Sequence, residues 1–289
     1  MRGDQGVAGL GTGGATWTDQ GPGHNVFQLF LGPGGAVPSW ITSTTLGINN
    51  IPALQWTNDT DVISFYCPTV TEASLYTLNA WTMASVWRYD GADHSNYDES
   101  PSLYSIHAYQ IGDGLVVSRN PADTSEIISM TYAYCNDTGA NYARTIGAPG
   151  SYNQPHLTVG WLQNHTLYNI LDDGAAVSNA VVGTLYNDLT NHPQIGGNEQ
   201  TTNSDFKGVI GEMLIYNTSS PALAAALQSY LYTKWFVYSP PVPTVWVPRT
   251  YVPSSRTRLN QHVESFKPLF QPAFTRDGRS FSESKSKGK

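Results

Sequence analysis

The sequence predicts an all-β domain, a sandwich or barrel of many short strands, closed by one helix and followed by an extended arm. Three observations predict it. Apolar and polar side chains alternate with period two along much of residues 1–238. Turn sequences such as Asp90-Gly91 and Asp173-Gly174 separate the alternating runs. One stripe of apolar residues with helical spacing follows the last alternating run, and a proline-rich segment follows the stripe.

The predicted strands are short and rich in Val, Ile, Tyr and Trp, which favour extended structure. They cover 75–87, 103–111, 114–118, 126–134, 157–162, 166–171 and 209–216. In the first of these runs Trp81, Met83 and Trp87 share one face, and Ala80, Thr82, Ala84 and Val86 share the other. Short strands at this spacing indicate a sandwich or barrel.

The single predicted helix begins near residue 220. Ser219 or Ser220 can cap it, and Pro221 suits its first turn. An apolar stripe follows at Leu223, Leu227, Tyr230, Leu231 and Trp235. Lys234 lies where the helix dipole favours a cation. We expect this helix to pack across the end of the sandwich and to close the domain.

Charge divides the chain into a folded domain, 1–238, and an extended basic arm, 239–289. Charged residues are 13% of the sequence, about half the usual share. Residues 1–239 hold six Lys and Arg against nineteen Asp and Glu, whereas 240–289 hold nine against three. Prolines at 240, 241, 243, 248, 253, 268 and 272 disfavour both helix and central strand in the arm.

The arm also carries aromatic residues at irregular spacing, which a simple linker rarely does. They include Trp246, Tyr251, Phe266, Phe270, Phe274 and Phe281. We interpret the arm as a strap that docks on a partner protein and buries these side chains. The alternatives are a disordered tail and a strap across its own domain. Nucleic acid is a weaker candidate partner, because the acidic domain would repel it.

The end of the domain resembles a known family. The run DFKGVIGEMLIYN at 205–217, followed by LAAALQSYLYTKW at 223–235, resembles the last strand and closing helix of laminin-G-like (LamG) domains of the concanavalin A-like lectin/glucanase superfamily. Weaker likenesses in the same order are DQGV at 4–7, TWTDQGPG at 16–23, INNIPALQW at 48–56 and QIGGN at 194–198. The resemblance covers about residues 1–236 and implies a two-sheet concanavalin A-like jelly-roll sandwich.

The superfamily includes glucanases, so enzymatic activity has to be weighed. Their catalytic strand carries Glu-x-Asp-x-x-Glu, which places carboxylates on one face for a retaining mechanism. The sequence has no such motif, and Glu212 stands alone on its predicted strand. Asp137-Thr138-Gly139 occurs once and indicates a turn rather than a protease dyad. We therefore expect no enzymatic activity.

Calcium is the candidate cofactor. Asp90, Asp93, Asn96 and Asp98 crowd one predicted loop and offer the oxygen ligands that Ca²⁺ prefers. Their spacing is not that of an EF-hand. The alternative is a solvated polar loop that binds no metal.

Glycan binding requires exposed aromatic platforms. The candidates are Trp81 and Trp87, which share a strand face, and the loop residues Tyr97 and Tyr152. For the two tryptophans, a place in the core is the alternative. Cys67 and Cys135 could pair or remain reduced, and the sequence leaves both open.

Together these features predict a non-enzymatic, lectin-like structural or binding protein. The resemblance and the charge division favour a virion surface component, a capsid decoration or fibre part, anchored to other structural proteins by the arm and belonging to a homo- or hetero-oligomer. The alternative is a carbohydrate-binding module of a secreted or cell-surface protein. The predicted location is therefore the virion surface or the extracellular space. We expect no membrane span, because no run of eighteen apolar residues occurs.

Overall fold

The computed structural model describes residues 6–10, 14–32, 36–41, 51–57, 63–71, 79–90, 102–105, 113–136, 142–185, 192–197 and 206–237. The chain divides into two units, Met1–Val242 and Pro243–Lys289. All of the described residues belong to the first unit. The helix that they include does not combine the length and the apolar character needed to cross a membrane.

The described residues form two antiparallel sheets, as the alternating pattern predicts. The strands are β1 Val7–Ala8, β2 Thr16–Thr18, β3 Val26–Leu31, β4 Ser39–Ile41, β5 Ala53–Trp56, β6 Ile63–Tyr66, β7 Ala80–Tyr89, β8 Ser102–Ser105, β9 Gly114–Arg119, β10 Glu126–Asn136, β11 Tyr142–Ser151, β12 Pro155–Gln163, β13 Thr166–Leu171, β14 Val177–Ala180, β15 Thr184–Leu185, β16 Gln194–Ile195 and β17 Gly208–Tyr216. The first sheet has the order β1-β2-β3-β6-β16-β8-β9-β10-β11, with β15 beside β10. The second has the order β14-β13-β12-β7-β17-β5-β4.

The main core fills the space between the two sheets. On β7, Trp81, Met83 and Trp87 point into this core and are fully buried. On β10, Ile127, Ala133 and Cys135 contribute from the opposite sheet. The alternation of side chains therefore determines which residues of each strand meet across the sandwich.

A second core lies on the other face of the seven-stranded sheet. Ala84 and Val86 of β7 belong to it, so this strand is buried on both faces. The helix α1, Pro221–Tyr232, supplies the cover with Leu227 and Leu231. The helix thus packs across the face of the sheet and not across the end of the sandwich, because both faces of the central strands are apolar.

The start of α1 follows the prediction. Ser220 caps it, and its hydroxyl accepts a hydrogen bond from the Leu223 amide at 3.0 Å. Pro221 occupies the first turn. One turn of π-helix, Thr233–Val237, continues the segment and places Trp235 in the second core.

The predicted apolar stripe is only partly buried. Leu227, Leu231 and Trp235 are buried as expected, and Leu223 packs at the edge of the second core. Tyr230 is 44% exposed and is not part of the buried stripe. The exposed Tyr230 ring is part of the candidate site described below.

The two cysteines do not pair. Cys67 and Cys135 are both buried, and no disulfide joins them. The main core holds both side chains, and the Cys67 sulfur lies 3.5 Å from the Thr69 hydroxyl. The domain is therefore stabilised by packing and hydrogen bonds without this disulfide.

Candidate functional site

The structure corrects the prediction of a tryptophan platform for glycans. Trp81 and Trp87 have no exposed surface, because β7 runs through the centre of its sheet and turns these rings into the main core. The Trp87 indole nitrogen donates to the Thr158 hydroxyl at 3.0 Å inside that core. Tyr152 is half-buried beside Tyr89, with ring centroids 6.0 Å apart. Tyr97 lies outside the described residues.

Only one residue of the predicted calcium loop is described. The Asp90 carboxylate binds the Arg88 guanidinium at two points, Oδ1 to Nε at 2.7 Å and Oδ2 to Nη2 at 2.6 Å. The other three candidate ligands, Asp93, Asn96 and Asp98, lie in the part of the chain that is not described. In the described part, no three His, Cys, Asp or Glu side chains are grouped as metal ligands would be. Calcium binding stays a prediction.

A buried histidine ties the turn between β11 and β12 to the end of β13. The Nδ1 atom of His156 lies 2.8 Å from Asp172 Oδ2, and its Nε2 lies 2.8 Å from the Ser151 carbonyl oxygen. The other Asp172 oxygen accepts from the Leu157 amide at 2.9 Å. Since both ring nitrogens face acceptors, the doubly protonated ring satisfies this site best.

The charge state of His156 reflects these neighbours. Burial disfavours the charged ring, but the hydrogen bond and negative charge of Asp172, with the Ser151 carbonyl, outweigh burial and raise the pKa of His156 above its usual 6.5. Asp172 is the charged group that faces the ring in this cluster, and the Trp87 ring lies 5.1 Å away between centroids. The cluster of Ser151, His156 and Asp172 therefore holds the turn after β11 to the end of β13, and we call it the histidine latch.

We expect the latch to make stability fall with rising pH. A raised pKa in the folded state means that the contribution is complete below about 6.5, the unfolded value, and is lost as pH rises through the folded pKa. Urea unfolding of the full chain between about pH 5 and pH 9 measures this slope. His156→Gln should flatten it, whereas His165→Asn, at an exposed turn with φ of 57°, should not. An equal slope in the His156 variant would contradict the latch.

A buried carboxylate that accepts hydrogen bonds from three side chains lies beneath the closing helix. Glu212 of β17 is 1% exposed. Its Oε2 accepts from Lys234 Nζ at 2.6 Å and from the Trp235 indole nitrogen at 2.8 Å. Its Oε1 accepts from the Tyr230 hydroxyl at 3.1 Å. One carboxylate therefore fixes three side chains of the helical segment.

Local sequence explains why this cluster forms. A bulge in β17, between Ile210 and Glu212, interrupts the register with β7. Gly211 lies in the bulge, and a Cβ atom there would stand 2.8 Å from the Trp235 ring. The glycine thus lets the indole approach the strand closely enough to donate to Glu212.

A surface groove runs along α1 beside this cluster. It has a volume of 640 Å³, within the range of about 300–1,000 Å³ that is usual for small-molecule sites. Its described lining is Ala226, Ser229, Tyr230, Thr233 and Lys234. These positions share one side of the helix because they recur at intervals of three and four residues.

The groove combines one aromatic face with small and hydroxyl side chains. The Tyr230 ring is half-exposed, while its hydroxyl is held by the buried Glu212. The Lys234 ammonium lies 5.9 Å from the centre of that ring and 4.9 Å from the centre of the Trp235 ring. An aromatic ring held in one orientation is the type of surface on which a sugar can stack.

Sequence reasoning did not find this groove. The helical spacing placed Tyr230 in the buried stripe, because spacing alone does not show which residues of the stripe the sheet covers. The available signal was the pair Tyr230 and Lys234, one turn apart, together with the lone Glu212 on a buried strand. The arm residues proposed for docking lie outside the described residues, namely Trp246, Tyr251, Phe266, Phe270, Phe274 and Phe281.

Comparison with known proteins gives similarity at the level of fold. No protein-family model matches the chain. No curated protein sequence matches it. A Trypanosoma rangeli sialidase in complex with 2,3-difluorosialic acid matches 79% of this chain at 11% identity and a TM-score of 0.50. The chain spans 32% of that sialidase, about a third of its length.

The two antiparallel sheets agree with the two-sheet concanavalin A-like jelly roll that the sequence resemblance implies. Two further solved structures are similar at lower scores. The mouse laminin α1 domains LG4-5 match 63% of this chain and 44% of their own at 13% identity, with a TM-score of 0.41. The CBM40 of a Ruminococcus gnavus IT-sialidase, bound to α2,3-sialyllactose, matches 55% and 85% at 11% identity, with a TM-score of 0.40.

Proposed function

We propose that this chain is a non-enzymatic, lectin-like binding module that binds carbohydrate in the groove along α1. The observation that carries the proposal is the Tyr230 ring, half-exposed in the groove and fixed by its hydrogen bond to Glu212. A ring that is already oriented loses little conformational freedom when a sugar stacks on it.

Many of the described acidic residues have structural roles. Several of them hold turns and strand ends in place as hydrogen-bond acceptors. Asp19 accepts from the Gly21 amide, Asp113 from the Tyr134 amide, Asp123 from Ser125, Glu126 from Asn120, Asp172 from the Leu157 amide and Glu212 from Trp235. A glycosidase needs two carboxyl groups about 5–9.5 Å apart on either side of the scissile bond. The acceptors named here are instead committed to the protein's own donors.

Binding without turnover is the expected result for the full chain. It should bind saturably to oligosaccharides on an array, with competition by the same free sugar. Chromatography of those sugars after long incubation should show no new product. Product formation that is lost on replacing a pair of carboxylates would contradict the proposal, and so would the absence of binding to any sugar.

The charge division favours a second role, which can accompany the first. We propose that residues 239–289 dock the domain on other proteins of an extracellular or virion-surface assembly. A segment with nine basic residues against three acidic ones suits an acidic partner surface, and its aromatic side chains can be buried on contact.

Removing the arm should separate the two roles. A chain truncated after residue 238 is expected to stay folded and to keep its sugar binding. It should no longer be incorporated into the assembly. Density-gradient sedimentation of the natural source, with mass spectrometry of the fractions, compares the truncated chain with the full chain. Incorporation of the truncated chain at the normal ratio would contradict a docking role for the arm.

A further inference from the structure

We infer that the groove selects neutral sugars over acidic ones, an inference that rests on the proposed function. The ligand class is a neutral pyranoside, with its apolar face on Tyr230 and its hydroxyl groups within reach of Ser229 and Thr233. The inference follows from the charge of the groove, from its fixed ring and from its hydroxyl side chains.

The charge of the groove is balanced within the protein. Among the described residues that line it, Lys234 is the charged one. Its ammonium is bound by the Glu212 carboxylate at 2.6 Å, and the side chains are only 15% and 1% exposed. An acidic sugar would have to give up its hydration at a cation whose charge is already compensated, which costs free energy. A neutral sugar does not have that cost.

The aromatic platform suits a ring with one apolar face. Tyr230 is anchored at its hydroxyl by Glu212, so its exposed face has a defined direction. The Lys234 ammonium lies over the same ring, 5.9 Å from its centre. The C–H groups of a pyranose can therefore pack on this face while its hydroxyl groups point outward to polar partners.

The hydroxyl side chains are spaced for a sugar as well. Ser229 and Thr233 are one helical turn apart on the groove side, a rise of about 6 Å. Each hydroxyl can donate and accept, as the hydroxyl groups of a sugar can. Ala226 completes the line with a small side chain, which leaves room for a ligand beside the helix.

The test uses the full chain on an array of matched neutral and acidic glycans, including lactose and α2,3-sialyllactose. Calorimetry then measures the affinity for the strongest neutral sugar. We expect the neutral member of each pair to bind more tightly. Tyr230→Ala should weaken binding about tenfold, the loss expected for one stacking contact.

Two further variants serve as controls. Tyr232→Ala removes a 50% exposed ring that lies on the same helix but does not line the groove, so binding should stay unchanged. Tyr230→Phe keeps the ring but loses the hydrogen bond that fixes it, so its affinity should lie between those of the parent and of Tyr230→Ala. Thermal unfolding of each variant shows that the fold is intact before its affinity is interpreted.

The possible outcomes separate this inference from the proposed function. Preference for the acidic sugars would overturn the inference and leave carbohydrate binding intact. Sugar binding that Tyr230→Ala does not weaken would remove the groove as the site. Failure of the intact chain to bind any glycan would overturn both the inference and the proposed carbohydrate function.

Discussion

Glu212→Ala should lower the free energy of unfolding by about 3–5 kcal/mol, the cost of removing one partner of a buried ion pair. The substitution leaves Lys234, 15% exposed, without its carboxylate and the Trp235 indole nitrogen without its acceptor. It also removes the hydrogen bond between the Tyr230 hydroxyl and Glu212, so the ring in the groove is held less firmly. Urea unfolding followed by tryptophan fluorescence measures the change.

A graded series identifies the cause of the loss. Glu212→Gln keeps the shape and one acceptor, so its stability should fall between those of the parent and the alanine variant. Asp123→Ala, at an exposed turn, should leave the unfolding midpoint near that of the parent. If the glutamine and alanine variants were as stable as the parent, the carboxylate could not be what holds the helix on the sheet.

Trp87→Ala should destabilise the fold by about 3–5 kcal/mol, since it empties a large, fully buried site. The ring contacts His156, with 5.1 Å between ring centroids, and its nitrogen donates to Thr158. Thermal unfolding by circular dichroism measures the loss. Glycan affinity of the folded fraction should be unchanged, because this ring faces the main core and not the groove.

Trp40→Ala is the matched control. Trp40 lies on the edge strand β4 and is 37% exposed, so its removal should cost far less stability. A folded Trp87→Ala variant that had lost its sugar binding would contradict the placement of Trp87 in the core. It would support the prediction that Trp81 and Trp87 form a glycan-binding platform.

The fold was predictable because alternation and turn chemistry are local signals. The runs around Glu126, Leu157 and Val209 are strands in the structure, and Ser220 and Pro221 open the helix. Ten of the seventeen strands lie outside the predicted runs, and two of them show why. The run from 142 to 151 contains Gly147, Pro149 and Gly150, which lower the propensity for strand, yet it pairs with β10 across a bulge. The exposed edge strand β14 has no apolar pattern at all.

The site was less predictable, since it depends on which sheet face the helix covers. Alternation separates the two faces of β7, but it cannot show that both are buried. Trp81 and Trp87 therefore offered a platform in the sequence and are core residues in the structure. The groove depends on a contact between Glu212 and Tyr230, 18 residues apart, which no periodicity encodes.

The central claim is that this domain binds a neutral sugar in the groove along α1. The most direct test is a titration of the isotope-labelled full chain with the strongest neutral oligosaccharide from the array, followed by amide chemical shifts in NMR spectra. The account predicts that the largest shifts cluster at Ala226, Ser229, Tyr230 and Thr233. Shifts that cluster instead on β9, β10 and β11 of the ten-stranded sheet would contradict it.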